Sequence, residues 1–150
     1  VRVFVVLALA ASVGCVRPKA ATTPSEKVKL LTLPAESDVF PKLAVAVTEA
    51  LAHAKVSGVS ESATSQASIE AVQLLIECVD PTADCYDAAA KSLAANQLLF
   101  AHIDGSRGKP KVTVTLFDRA TKLPKTSEHT YATEAAALDG LEGLVAEATR

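Results

Sequence analysis

A mixed α/β (α+β) architecture follows from the amino-acid sequence: about five strands in one sheet, helices packed on it, in the order β-α-β-α-α-β-β-β-α. Three observations carry this. Gln97 to Ile103 (QLLFAHI) is apolar on both faces, the mark of a central strand. Lys111 to Phe117 (KVTVTLF) alternates, the mark of a half-buried neighbour. Apolar residues recur at helical period after Val39 and again after Thr133. With 150 residues, 49% of them hydrophobic, the chain has material for one core. That core must be aliphatic, because aromatic residues are 4% and Trp and Met are absent.

The elements follow in order. Val28 to Leu33 is a short apolar strand ended by Pro34, and Glu36-Ser37-Asp38 is a polar turn. Val39 to Ala54 repeats Val39, Leu43, Ala46 or Val47, Ala50 and Leu51 close to helical spacing. Val56 to Val59 is the expected second strand, and Glu61 to Ser68 a polar connector. Ile69, Val72, Leu75 and Ile76 mark one face of a second helix. A third runs from Pro81 to Ala95, with Asp80 as its N-cap, Tyr86, Ala89, Ala90 and Leu93 on one side, and Asn96 as its C-terminal cap. Asp104 to Lys109 is a glycine-containing hairpin loop. In the strand after it Val112, Val114 and Leu116 point inward, Thr113 and Thr115 outward. Lys125 to Tyr131 alternates polar residues, as an edge strand does. Thr133 caps a last helix whose stripe is Ala137, Leu138, Leu141, Leu144 and Val145.

The amino-terminal segment carries an address. Arg2 is a minimal positive region, and Val3 to Ala11 (VFVVLALAA) has the length of a signal-peptide apolar core. Ser12-Val13-Gly14-Cys15 resembles the bacterial lipoprotein signal, in which small residues precede an invariant Cys. The resemblance implies a signal peptide over 1–14, cleavage before Cys15 and lipidation of Cys15. Ser12 departs from the aliphatic residue usual there. A buried amino-terminal strand and a conventional secretory signal are the alternatives. Val1 fits an alternative start codon or the start of a fragment. Residues 15–27, with two prolines and Arg17, Lys19 and Lys27, form a flexible tether ahead of a single α/β domain over 28–150. Val16 is not the Asp typical of inner-membrane retention, so the expected place is the outer membrane, facing the periplasm.

Three cysteines are an odd number for an exported chain. If Cys15 carries lipid, Cys78 and Cys85 remain, separated by a turn that holds Asp80-Pro81. An oxidising compartment permits a disulfide there. Two buried free thiols, or zinc with His102 as a distant third ligand, stay open at this point.

The element order, together with QLLFAHIDGSRGKPKVTVTLFDRATKL, resembles the amino-terminal domain of the TolB family and the related domain of the curli-secretion lipoproteins. The pieces that carry it are the helix Asp87 to Ala95, the strand Leu98 to Ile103, the hairpin Asp104 to Lys109, and Leu116-Phe117-Asp118. The resemblance implies a noncatalytic envelope domain. The propeller, pore hairpins or repeats that accompany such domains are absent from this sequence.

Searching for chemistry yields little. His53, His102 and His129 form no HExxH or other close metal pair, and no GxSxG elbow or phosphate-binding glycine loop is present. His53 suits a helix C-terminus, His102 a core or rim position on the central strand, and His129 a solvated edge. Asp84 and Asp87 suit a helix start, and Arg107, Lys109 and Lys111 a charged loop. No catalytic residue, metal or cofactor is expected. The net charge of −2 opposes nucleic-acid binding. Two classes remain. One is a noncatalytic, lipid-anchored binding or assembly module with an envelope protein as partner, docking on the edge Ser127, Glu128, His129, Thr130 and Tyr131. The other is a small periplasmic ligand-binding protein or enzyme; a pocket holding His102 and two carboxylates would favour it.

Overall fold

The computed structural model describes residues 27–78, 80–106 and 108–150. The expected signal peptide, Cys15 and all of the tether but Lys27 lie outside these residues. Nine elements follow the anticipated order: β1 (Lys29–Thr32), α1 (Pro41–Ala52), β2 (Glu61–Thr64), α2 (Ile69–Leu75), α3 (Ala83–Ser92), β3 (Gln97–Ser106), β4 (Lys109–Asp118), β5 (Leu123–Thr130) and α4 (Glu134–Ala148). They build one five-stranded mixed sheet in the order β2-β1-β3-β4-β5. β1 pairs in parallel with β2 and β3, and β3-β4-β5 form an antiparallel meander.

Both faces of the sheet are covered, by different helices. Leu99, Ala101 and Ile103 of β3 and Val112, Val114 and Leu116 of β4 pack with Leu43, Val47 and Leu51 of α1 and Leu141, Leu144 and Val145 of α4. Leu98, Phe100 and Phe117 turn to the other face and meet Ile69 and Val72 of α2 and Ala89 and Ala90 of α3. The alternation of side chains along a strand supplies both sets from the same two strands. Phe117 therefore ends a core-facing run on the side opposite to Val112, Val114 and Leu116. Thr115, expected outside, is buried there too, its hydroxyl 3.3 Å from that of Thr126.

Several local expectations are corrected. The second strand is Glu61–Thr64, not Val56 to Val59. β2 lies at the sheet edge with a partner on one side only, so backbone pairing to β1 forms it without an apolar run. Val56 and Val59 instead pack against the α1/α4 core from a loop that turns at Gly58. Leu75 and its neighbour Leu74 are exposed, 83% and 69%, because α2 is only seven residues long and buries Ile69 and Val72. Val39 and Leu138 are also exposed. The cap of α3 is Thr82, whose hydroxyl accepts the Cys85 N–H at 3.3 Å, with Asp80 and Pro81 upstream of it. The β3–β4 ladder runs on to Ser106↔Lys109, shortening the hairpin loop. Gly105 makes this close pairing possible: its φ is +126° and a Cβ there would strike the Lys109 carbonyl.

Asn96 does not cap α3. Its side chain accepts the Lys29 N–H at 2.8 Å and ties the start of β3 to β1. The helix ends one turn earlier, with Ala95 N–H on the Ala90 carbonyl and Ala94 N–H on that of Lys91, a Schellman pair. Ala94 sits at φ +51°, where a Cβ is costly. Ala94→Gly should raise stability by about 0.5–1 kcal/mol, the relief of the left-handed strain less the extra entropy of an unfolded glycine. Urea denaturation reads this; a loss of stability would refute the assignment.

Candidate functional site

Among the described residues, three regions hold most of those singled out from the sequence. The first is the free edge of β5. Tyr131 N–H donates to the Pro110 carbonyl at 2.8 Å, which sets the phase of the ladder. In an antiparallel pair the bonded positions alternate, so Lys125, Ser127 and His129 turn their backbone groups to β4. Thr126, Glu128 and Thr130 turn theirs away from the sheet. Glu128, His129 and Thr130 are exposed, whereas Ser127 is buried. The Glu128 carboxylate pairs with the Lys111 ammonium at 2.8 Å, across the adjacent strand. Tyr131 is no part of the edge. It follows β5, is buried, and packs on α4, where a Cβ at Gly140 would come within 2.6 Å of its ring. The Tyr131 ring also meets that of His129 edge-on at 4.5 Å. Its apolar body and its place one residue past the strand explain the difference.

Cys78 and Cys85 form the second region. They are disulfide-bonded, with Cα atoms 5.7 Å apart. Cys78 follows Glu77, the left-handed residue that ends α2, and its N–H reaches the Gln73 carbonyl. Cys85 is buried in the first turn of α3. The bond thus staples the end of one helix to the start of the next, and it consumes the thiolates a zinc site would need.

The third region surrounds His102. After Pro34 the chain touches β3 again, as a bridge between Glu36 and His102. Ser37 Oγ donates to the Ile103 carbonyl at 3.2 Å and accepts the Phe40 N–H. These contacts form one wall of a recess of about 330 Å³ that also contains Asp38, Glu70, His102 and Asp104. His102 Nδ1 lies 3.2 Å from Glu70 Oε1 and Nε2 lies 3.0 Å from Asp104 Oδ1. Burial pulls the imidazole pKa down, but the hydrogen bonds and charges of Glu70 and Asp104 outweigh it and hold His102 above 6.5. His102 is therefore half-exposed on the polar end of β3 and not a core histidine. Both ring nitrogens are spent on carboxylates, and the Ser37 hydroxyl is spent on backbone. That leaves the ring as an ionic clamp between α2 and β3, with no nitrogen placed to take a proton from a nucleophile.

Because the folded pKa is raised, the clamp's contribution is complete below pH 6.5 and is lost as pH rises through the folded value. Thermal melts of His102→Gln should accordingly lack the loss of stability that the parent protein shows as pH rises above that value. Identical pH profiles for the two would show that the ion pairs contribute nothing.

Sequence reasoning did not find the network on Asp87. This carboxylate, in the middle of α3, is buried and meets the ammonium of Lys91 at 2.6 Å and Arg119 Nε at 3.1 Å, with Lys122 at 3.9 Å. The Lys91 and Arg119 hydrogen bonds outweigh burial and hold it below 3.8. The signal available was Lys91 four residues on; Arg119 and Lys122 come from the β4–β5 turn. His53 caps the end of α1 and is exposed, as is His129.

No protein-family model and no curated protein matches the chain. Among solved structures it overlaps a PelC dodecamer from Paraburkholderia phytofirmans at 16% identity and a TM-score of 0.43, over 81% of this chain and 86% of that one. It overlaps the LpoB C-terminal domain from Salmonella enterica at 14% identity and 0.43, over 69% and 81%. TolB from Acinetobacter baumannii overlaps at 11% identity and 0.40, over 85% of this chain and 28% of that one. Likenesses this distant say nothing by themselves about what the chain binds.

Proposed function

We propose that the chain is a cell-envelope lipoprotein, anchored through Cys15 in the outer membrane and facing the periplasm, whose α+β domain is a noncatalytic binding or assembly module. The observation that carries the binding reading is the outer side of β5. Three residues there, Thr126, Glu128 and Thr130, offer backbone donors and acceptors at strand spacing, and an extended segment of an envelope protein can add to them. The apolar block before Gly14-Cys15 supports the anchor, and the Cys78–Cys85 bond suits an oxidising compartment.

The test uses the lipidated protein in detergent-solubilised envelopes. Glu128→Pro and Thr130→Pro remove outward donors without touching the β4 ladder, so both variants should fold. Partner capture should fall by about tenfold or more in each. Unchanged capture by both folded variants rules out the edge. Cys15→Ala should release the protein from membranes or block its processing, and a mature mass without a diacylglycerol adduct would remove the anchor.

A second reading, a small periplasmic ligand-binding protein or enzyme, is favoured by the recess in which Glu70 and Asp104 flank His102. Occupation of both ring nitrogens supports binding over catalysis there.

A further inference from the structure

The charges of the domain are divided between its two ends. At one end of the sheet β1, β3 and β5 begin and β4 finishes, and the last turns of α1, α3 and α4 come to the same end. Lys29 stands at the start of β1, Lys55 beyond α1, Arg119 and Lys122 in the β4–β5 turn, Lys125 on β5 and Arg150 beyond α4. They share one surface. A recess joins Val28 and Asn96 to Asp118 and Arg119, a second joins Asp118 to Lys125 and Arg150, and a third joins Thr149 to Lys55. Carboxylates at this end offset only part of the charge. Buried Asp87 is shared by Lys91 and Arg119. Asp118 accepts from Gln97 Nε2 and from the Ala120 N–H. Glu61 lies across from Lys29 in the β1–β2 register, and Glu147 is exposed on α4. Among the described residues no carboxylate pairs with Lys29, Lys55, Lys125 or Arg150.

The opposite end has the opposite sign: Glu36, Asp38, Glu70 and Asp104 gather there around His102. Helix C-termini favour nearby cations, which accounts for Lys55, Lys91 and Arg150. It does not account for Lys29, Lys122 and Lys125, which lie on strands and a turn. The chain from Cys15 also enters the domain at the basic end, at Lys27 and Val28, twelve residues on. We propose that this end is a membrane-docking face, which lies against a phospholipid surface bearing anionic headgroups and turns the acidic end away from it. The placing of the face toward the anchor rests on the lipoprotein reading; the charge contact does not. Each exposed cation near such a surface is worth about fivefold in partition at low salt, and the attraction fades beyond a Debye length.

The test uses the chain from residue 15 onward with Cys15→Ala, so that no acyl chain contributes. At low salt it should sediment with vesicles of phosphatidylcholine containing about one-third phosphatidylglycerol, and not with phosphatidylcholine alone. With a nitroxide on the lipid headgroup, amide NMR signals of Arg119 to Lys125 should broaden, and those of Glu36 to Asp38 should not. Lys122→Glu with Lys125→Glu changes two exposed residues and should weaken partition at least about tenfold. Lys42→Glu with Lys109→Glu, exposed toward the acidic end, changes the net charge equally and should leave partition nearly intact. Four results would overturn the proposal: no dependence on phosphatidylglycerol; equal weakening by the two double variants; broadening of Glu36 to Asp38; or capture by duplex DNA that is tighter than by vesicles at equal phosphate. The mass of the mature protein reports on Cys15 alone, so the anchor and the docking face fail separately.

Discussion

Phe117→Ala should lower the stability of the domain by about 3–5 kcal/mol, the largest loss expected from one substitution. Phe117 is fully buried, on the sheet face covered by α2 and α3. It lies directly across the ladder from Leu98, and its ring centroid is 5.7 Å from that of Tyr86. Tyr86 in turn stands 5.1 Å from Phe100. These three rings are half of the chain's six aromatic residues, and they make the junction between α3 and the sheet. The surrounding side chains, Leu31, Leu33, Ile69, Val72 and Leu98 with Ala89 and Ala90, are themselves close-packed and can relax only partly into the space. Chemical denaturation measures the loss. Phe117→Leu should recover most of it, because the cavity rather than the lost ring contacts dominates. Equal losses for Ala and Leu would show that the aromatic contacts, and not the volume, hold this core together.

The parts of the fold that were legible in the sequence are those in which one residue pattern meets one physical demand. Gln97 to Ile103 is apolar on both faces because helices cover both, and β3 sits in the middle of the sheet for that reason. Ala137, Leu141, Leu144 and Val145 recur at helical period because they have a single core to face. β2 was illegible because its sequence, Glu-Ser-Ala-Thr, buries only part of Ala63; pairing with β1 makes it a strand. The nearby Val56 and Val59 have the side chains of a strand but serve as a lid on the α1/α4 core. Tyr131 reads as edge because it continues the alternation of β5, yet the loop that follows turns it into α4 beside Gly140.

Site residues divide in the same way. The Cys78–Cys85 pairing is short in sequence and was legible from spacing and parity. The clamp around His102 joins residues 32 positions apart, and Asp87 meets Arg119 at the same separation. Long-range pairs like these depend on how α2 and α3 seat on the sheet, which no local pattern encodes. In the sequence Gln97 is only the first residue of a strand. Its bond to Asp118 follows from the register Gln97↔Asp118, which turns the amide nitrogen to the carboxylate.

The double variant Cys78→Ser with Cys85→Ser should lose about 2.5 kcal/mol and still fold. The chain-entropy relation for a loop of eight residues gives that figure, since the bond restrains the unfolded chain more than it adds contacts. Folding survives because the main core, between the sheet and α1 and α4, contains neither cysteine. The local consequence should be larger than the global one. α2 has seven residues, buries Ile69 and Val72, and leaves Leu74 and Leu75 in solvent. Without the staple, its attachments are those two side chains, the Ser68 cap and the Glu70–His102 pair. Hydrogen exchange should therefore accelerate most in α2, while β4 and β5 stay protected to nearly the full stability of the domain. α2 packs beside α3 over the half of the sheet that ends in β2, and β5 is the opposite edge. Partner capture through Glu128 and Thr130 should thus be unchanged in the double variant at a temperature where it remains folded. Loss of capture by a folded, disulfide-free protein would place the docking surface on α2 and its exposed leucines instead of on β5.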